Sequence, residues 1–404
     1  MSFIVRLAKN LTQRRPLKPL QFRQTGWETV SETQPLEEEQ VDEFKNGQFF
    51  PVHIGDVYES KYQVLGKLGF GSTSTVWLAR NLWDHNHVAL KVYTRDGSSR
   101  EEFEKCDFIS RANTSHAGYP YVRTALDIFA LRHPGGAEHH CLVQKPMWDS
   151  WKDLLRRNPT HRFTEPLLKA GLKQLLLALD YLHTECKLVH TDIKADNILQ
   201  EIVDQNILQA FTEAELETPS PRKVIDGVPV YKSRQFQMPN DFGGIALSDF
   251  GASVRGDQKR NHDAQPNLYR SPEVMLQVAW SYPVDIWNVG VLVWSLFEGK
   301  HMFCGDDPDG KGYSTRAHLA EVVGMLGPPP ADLIQRGVRN KDFFVDGQWI
   351  AEVKVPHTSL EKSEEFLNGK NKEGFLNLMR GMLQWRPEDR KTASQLLKDP
   401  WLNS

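Results

Sequence analysis

Three polar side chains, Asp192, Lys194 and Asn197, stand two and three residues apart in the stretch LVHTDIKADNIL, with apolar runs on either side. The spacing predicts a polar loop pinned between buried anchors, with its functional groups turned one way. A carboxylate, an ammonium and an amide in one loop suit phosphoryl transfer. Asp192 would accept the proton of an attacking hydroxyl, Lys194 would neutralise charge on the phosphoryl group, and Asn197 would bind a metal ion. Such a reaction asks for positioning and charge stabilisation more than for covalent chemistry. Downstream, SDFG supplies Asp249, a hard oxygen donor suited to Mg²⁺. The tripeptide SPE follows as Ser271, Pro272 and Glu273.

A phosphate-binding half lies upstream. GFGSTSTV puts Gly69 and Gly71 between two predicted strands, where missing side chains let backbone N–H groups approach a polyphosphate. Ser74 occupies the third position of a G-x-G-x-x-G pattern, a strand is predicted to follow, and no G-K-[ST] occurs, which sets aside the dinucleotide and P-loop fingerprints. On the next strand VALK provides Lys91, where a phosphate-binding lysine is expected. A helical glutamate must hold it. Glu102 is selected because Phe103, Cys106 and Ile109 then face the core, with Glu101 and Glu104 as alternatives.

The elements that position these groups follow from periodicity. β-Branched and aromatic residues flank the Gly/Ser/Thr cluster of YQVLGKLGFGSTSTVWLARNL, which predicts a hairpin over 62–82. HVALKVY and CLVQKPM read as strands, and SREEFEKCDFISRA as a helix. From TEPLLKAGLKQLLLALDYLHTE onward apolar residues recur at helical spacing, behind a threonine N-cap, and VDIWNVGVLVWSLFEG and KEGFLNLMRGMLQW repeat the pattern. A strand-rich front half and a larger helical back half are expected to meet near residue 147. Residues 200–245, rich in Pro, Gly and charge, read as a long loop inserted in the helical half, either a surface excursion or a docking insert.

Composition narrows the class. The 404 residues, 40% hydrophobic, can supply two domains or one two-lobed unit with real cores. A net charge of -3 excludes a general electrostatic attraction to nucleic acid or membrane. Cys106, Cys141, Cys186 and Cys304 form no C-x-x-C pair, which argues against a zinc site and a disulfide framework and for a reducing compartment. No apolar run reaches the ~18 residues of a membrane span. From Met1 to Trp27 the chain is basic with no acid, and the acidic run LEEEQVDEF follows. The basic start resembles a mitochondrial presequence, although poor in Ser; the competing readings are an unfolded basic arm or a segment packed on the domain. Cytoplasm and/or nucleus is the expected location, with mitochondrial targeting as the lesser reading.

Taken in order over residues 57–402, these motifs resemble the set that marks eukaryotic protein kinases. His-Thr-Asp in place of His-Arg-Asp, together with PVHIGDVYESKYQVLGKLGFGSTSTVWLAR and SYPVDIWNVG, resembles the serine/arginine-rich protein kinase (SRPK) family, above all its fungal members. The segment between DNIL and SDFG resembles that family's spacer, though short. The resemblance implies an α+β, two-lobed protein-kinase fold. A small antiparallel five-stranded N-lobe with one main helix would cover 57–147, and a large, mainly helical C-lobe 148–402, with the insert at about 200–245 and an arm over 1–50 before them. It implies a serine/threonine protein kinase that uses ATP and Mg²⁺, acts on protein substrates rich in Arg and Ser, works as a monomer, and has no direct nucleic-acid or membrane partner.

To the nucleotide-binding residues Gly69, Gly71, Lys91 and Glu102 the resemblance adds Leu68, Val76 and Ala89, Gln144 as gatekeeper, and Lys145 to Met147 as the adenine hinge. Family members usually carry an aromatic gatekeeper and a hinge Glu at these places. It pairs Glu273 with Arg390, makes Asp285 a brace of the catalytic loop and His190 a structural residue. Substrate-docking acids would be Asp306, Asp307 and Asp309 in CGDDPDG, where a polar turn is the competing reading. Many kinases use the Arg before the catalytic Asp to receive an activation-loop phosphate. Thr191 stands there in this chain, and VRGDQKRNHDAQPNL holds no Ser, Thr or Tyr, so activity is expected to need no phosphate in that segment. The alternative function is a pseudokinase serving as a nucleotide-sensing or scaffold module. Lys91, Asp192, Asn197 and Asp249 together count against it; Ser74 and the unusual hinge speak for it. A small-molecule kinase fits less well, because NLYRSPEVML resembles a peptide-binding segment.

Overall fold

Alternating apolar residues turn the front half into one antiparallel sheet. Its strands are β1 (Val57–Tyr58), β2 (Tyr62–Phe70), β3 (Ser74–Asn81), β4 (His87–Tyr93), β5 (Ala125–Arg132) and β6 (Glu138–Gln144), in the order β1-β2-β3-β4-β6-β5. The expected five strands are thus joined by a two-residue edge strand, β1. The computed structural model describes residues 15–404 apart from 24, 32, 46, 96–98, 133–135 and 226, so the first fourteen residues of the basic start lie outside the described part. Because strand side chains alternate between faces, Trp77, Ala79, Leu90, Val92, Cys141 and Val143 share one side and form a core with Val52 and Ile54. The opposite face carries Val76 beside Lys91 and Ala89 beside Gln144, as cross-strand partners.

The described residues form two compact units. One comprises the chain up to Phe103, Thr124–Trp148 and Ile202–Phe242; the other comprises Glu104–Arg123, Asp149–Glu201 and Gly243–Ser404. In the larger unit, helix Glu165–Thr184 buries Leu168, Leu172, Leu175, Leu179 and Leu182, the i, i+3/i+4 stripe anticipated for it. Thr164 stands at its N-cap, but no side-chain cap hydrogen bond forms. Helix Pro283–Glu298 is buried along almost its whole length and ends at Gly299, whose left-handed φ of 70° closes the last turn. Helix Gly369–Met382 packs Phe375 against Trp401, with ring centroids 5.1 Å apart. No helix among the described residues is long and apolar enough to cross a membrane.

The insert overturns the expectation of a loop in the helical half. It contains helix Asn206–Glu217 and a hairpin of Arg222–Ile225 with Val228–Tyr231, and residues 202–242 belong to the small unit. Ile207, Leu208 and Phe211 are buried on the helix, and Phe211 lies so close over Gly66 of β2 that an added Cβ there would sit 2.7 Å from its ring. Tyr231 enters the sheet's own core, edge-on to Trp77 at 5.6 Å. The arm is not a separate appendage either. The backbone N–H and C=O of Leu20 bond the Gln63 side chain, and the Val30 and Arg222 amides donate to the Arg222 and Glu28 carbonyls.

A hairpin that supplies a core aromatic is a structural part of the unit. Tyr231→Ala should therefore cost about 3–5 kcal/mol, as for other buried aromatics cut to alanine, and lower the melting temperature by several degrees. Val224→Ala, an exposed position on the same hairpin, should leave it unchanged. Equal melting of wild type and Tyr231→Ala would return the insert to the status of a loose spacer.

Candidate active site

In the small unit, Lys91 Nζ lies 3.0 Å from both carboxylate oxygens of Glu102, and the Tyr93 hydroxyl donates to Glu102 Oε2 at 2.6 Å. Of the three candidate glutamates, Glu102 is the buried one, whereas Glu101 and Glu104 are exposed. Helix Ser99–Arg111 explains this: Cys106 and Ile109 are fully buried, one and two turns on from Glu102, while Phe103 is only half-buried. Tyr93 was not anticipated, although its position two residues after Lys91 on β4 places it on the same face.

The glycine turn between β2 and β3 shows what its glycines are for. A Cβ added to Gly69 or Gly71 would meet nothing within 4 Å, and neither residue has a left-handed φ. Neither packing nor backbone conformation requires glycine here, so the space above the turn is open for a ligand to approach the main chain. Leu68 and Val76 are half-buried and Ala89 is buried, and Gly69 faces Val76 across the hairpin. Gln144 is buried at the end of β6, Lys145 is exposed and Met147 is buried. Trp148 follows, its indole donating to the Gln237 carbonyl and its ring meeting Phe242 of the insert at 5.4 Å.

In the large unit, the loop of Asp192, Lys194 and Asn197 hangs between Val189, Ile193 and Ile198, all fully buried. Lys194 Nζ holds both oxygens of Asp192, at 3.0 and 2.9 Å, and Asn197 Nδ2 donates to the Asp192 carbonyl and to its Oδ2, each at 2.8 Å. Both acceptors lack protons to give, so the Asn197 amide must face them with its NH₂ group, leaving Oδ1 as a free-facing acceptor. Asp249 is half-buried with a left-handed φ of 68°, a conformation aspartate tolerates better than most residues. An amide oxygen and a carboxylate are donors of the hard type that Mg²⁺ takes, so this residue set fits the ion.

The loop is held from beneath by Asp285, which is fully buried in the first turn of helix Pro283–Glu298. Its carboxylate accepts the backbone N–H groups of His190 at 2.7 Å and Thr191 at 2.8 Å, and His183 Nε2 at 2.9 Å. Thr191 has a φ of 69°, strained for a β-branched residue, and its hydroxyl donates to the Ala252 carbonyl. His190 Nδ1 accepts the Asp192 N–H while Nε2 donates to the Ser248 carbonyl. Nearby, burial and then the charges of Asp196 and Asp192 push the Tyr269 hydroxyl up to about 12. Glu273 and Arg390, both fully buried, form a two-pronged pair at 2.6 and 2.7 Å.

The segment after Asp249 is tied to its surroundings by backbone and neutral side-chain bonds, with an exposed Arg255–Asp257 ion pair inside it. Val254 and Arg255 pair with Val189 and Leu188, and the backbones of Arg260 and Trp280 bond in both directions. The Trp280 indole donates to the His262 carbonyl, and Gln265 bridges the Val284 carbonyl to the Ser271 amide. The acids of CGDDPDG form a polar turn rather than an open acidic surface. Asp307 is buried and gripped by Arg316 at 2.7 and 2.8 Å, hydrogen bonds that hold its carboxyl well below the usual range, and Asp309 has Lys311 and Arg316 beside it. Asp306 alone of the three is exposed without such a partner among the described residues.

The open glycine turn makes a direct prediction. Gly71→Ala should melt like wild type yet bind ATP about tenfold more weakly, equivalent to ~1.4 kcal/mol; unchanged affinity, measured by titration calorimetry, would show that no phosphate approaches this backbone.

Comparison with known proteins agrees with this geometry. The model of the protein kinase domain matches residues 62–402. A serine/threonine protein kinase of Aspergillus fumigatus is 42% identical over 373 residues, with 91% of each chain covered. The serine/threonine-protein kinase SRPK of Physarum polycephalum is 28% identical over 405 residues, again covering 91% of each, and protein kinase dsk1 of Schizosaccharomyces pombe is 26% identical, covering 90% of this chain and 85% of its own. The chain belongs to the protein kinase family, and it is a serine/threonine protein kinase.

Proposed function

We propose that this kinase transfers the γ-phosphate of ATP to serine or threonine in arginine-rich protein segments. Lys91, oriented by Glu102 and Tyr93, takes phosphate oxygens of ATP, and the N–H groups around Gly69 and Gly71 cap the polyphosphate. Leu68, Val76, Ala89, Gln144, Lys145 and Met147 surround the adenine. Asp192 accepts the hydroxyl proton as the substrate oxygen bonds to the γ-phosphorus, and the bridging oxygen leaves with ADP. Lys194, already seated on Asp192, offsets charge on the phosphoryl group in flight. Bound Mg²⁺ would neutralise phosphate charge, and Asn197 Oδ1 and the Asp249 carboxylate are the groups to hold it.

One observation carries the substrate preference. Beside Asp192 opens a cavity of about 360 Å³, walled by Thr191, His262, Asp263, Gln265 and Trp280. Asp263 is exposed and makes no ion pair or hydrogen bond among the described residues. With threonine where other kinases carry arginine, the only ammonium in this wall among the described residues is Lys194, which is bound to Asp192. A guanidinium of the substrate would find a carboxylate there and the His262 ring, which meets Trp280 at 5.2 Å, to lie against.

The test is phosphate transfer from Mg-ATP to an arginine-serine repeat peptide and to a lysine-serine repeat of equal charge. Wild type should favour the arginine peptide, Asp192→Ala should lose activity by a factor on the order of 10³, and Asp263→Lys should raise the KM for the arginine peptide alone. Equal use of both peptides would remove the arginine preference. If neither is phosphorylated while ATP still raises the melting temperature, a scaffold role gains ground.

The backbone pairs and neutral side-chain bonds that tie down residues 254–268, with one exposed ion pair, Arg255–Asp257, inside the segment, generate a second expectation. Phosphatase treatment should leave activity unchanged, since the segment is held without a phosphate. A large loss traced by mass spectrometry to residues 254–268 would refute it.

A further inference from the structure

The acidic run after the basic start has no part in the chemistry above, yet it reaches a residue that does matter to the glycine turn. Lys67 lies on β2, two residues before Gly69, and its side chain is fully buried. Its Nζ meets Glu37 Oε2 at 2.7 Å, the Glu38 carboxylate, and the Tyr231 carbonyl at 2.9 Å. The Lys67 carbonyl in turn accepts the Arg234 N–H at 2.9 Å. Glu37 is tied on its other side to the Ser233 amide and hydroxyl at 2.6 and 2.7 Å. Lys223, also buried, reaches Glu39 Oε2 at 2.7 Å and the Gln34 carbonyl at 2.8 Å.

Two segments far apart in sequence, 34–39 and 223–234, thus close on one lysine. Burying an ammonium with two carboxylates is a poor way to gain stability, because desolvation offsets most of the attraction and an apolar cluster of equal volume does as well or better. Burial in fact pushes the Glu38 carboxyl up against the pull of Lys67. What such a cluster does supply is position, since only one placement of the strand satisfies all its partners. Leu68 and Gly69 follow on β2 and Gly71 just beyond it, and the pairing of β2 with β3 slips between Val64 and Gly66 and again between Lys67 and Gly69. The sheet ladder alone therefore leaves the height of the turn loosely set.

We infer that Lys67 is a positioning residue for ATP: clamped by the acidic arm and the insert hairpin, it sets where the Gly69–Gly71 backbone meets the phosphates. The inference rests on the reading of that turn as the phosphate loop. It also gives the arm and the insert one shared role, as two jaws of the clamp.

The test is steady-state kinetics on the full chain. The double variant Lys67→Met/Glu38→Gln removes the lysine together with the more deeply buried of its two carboxylates, while the partly exposed Glu37 keeps its bonds to the Ser233 amide and hydroxyl. It should raise the KM for ATP about tenfold while kcat and the KM for the peptide stay within twofold, and Lys67→Arg with Glu38 intact should recover most of the loss. Glu37→Gln, at a partly exposed position that keeps its Ser233 contact, will fold even if the double variant does not, and should raise the KM for ATP about threefold. An unchanged KM for ATP in either folded variant overturns the inference, as does a parallel fall in every constant, which marks a merely structural role. Gly71→Ala separates the two levels. If it too leaves ATP binding unchanged, the phosphate-loop reading fails; if it weakens ATP while the Lys67 and Glu37 variants do not, the clamp alone is wrong.

Discussion

The large unit depends on one buried carboxylate. Asp285 has lost its water entirely, a loss worth several kcal/mol that only complete hydrogen bonding can offset. Two backbone N–H groups and a histidine provide that bonding. The exchange works in both directions: the loop satisfies the acid, and the acid holds Thr191 in a left-handed conformation that by itself costs about 1–3 kcal/mol. With Thr191 so fixed, the next residue, Asp192, is turned toward Lys194 and Asn197. The position of Asp285 in the first turn of helix Pro283–Glu298 also sets the charge at the favourable end of the helix dipole.

Charge is used differently in the small unit. The Lys91–Glu102 pair keeps an opening to solvent at the lysine, as a group that must meet a ligand should. The Lys67 cluster is sealed and faces only protein. Lys67 on β2 and Lys91 on β4 belong to one sheet, with β3 between them, so the same residue type serves as a reagent at one position and as a fastener at the other. The difference lies in exposure and in the number of carboxylates, neither of which is a property of lysine itself.

Much of the site was legible because its chemistry is local. Asp192, Lys194 and Asn197 lie within six residues of one another, and the anchors Val189, Ile193 and Ile198 are apolar in the sequence as they are buried in the fold. Glu102 emerged from three candidates because helical spacing to Cys106 and Ile109 is also a short-range property. The insert was misread for the opposite reason. Its helix carries Ile207, Leu208 and Phe211 at helical spacing, but the Pro, Gly and charge of residues 217–244 outweighed them. Three of those charges are not left to solvent: Arg222 and Arg234 meet the buried Glu215, and Lys223 meets Glu39. A charged residue whose partner is over a hundred positions away looks the same in a sequence as one that faces water.

The sequence by itself therefore determined which reaction the chain is equipped for, which strands and helices carry its catalytic groups, and which glutamate faces the core, because residue type and period are set by near neighbours. Only the tertiary structure decided that Asp307 of CGDDPDG is closed by Arg316, that Asp263 lines the same cavity as Asp192 without an ion pair among the described residues, and that the acidic arm and the insert meet at Lys67. The first and last turn on which oppositely charged group the folded backbone brings up, from nine residues away for Asp307 and from distant segments for Lys67, and the second on none arriving among the described residues; residue type and period record neither.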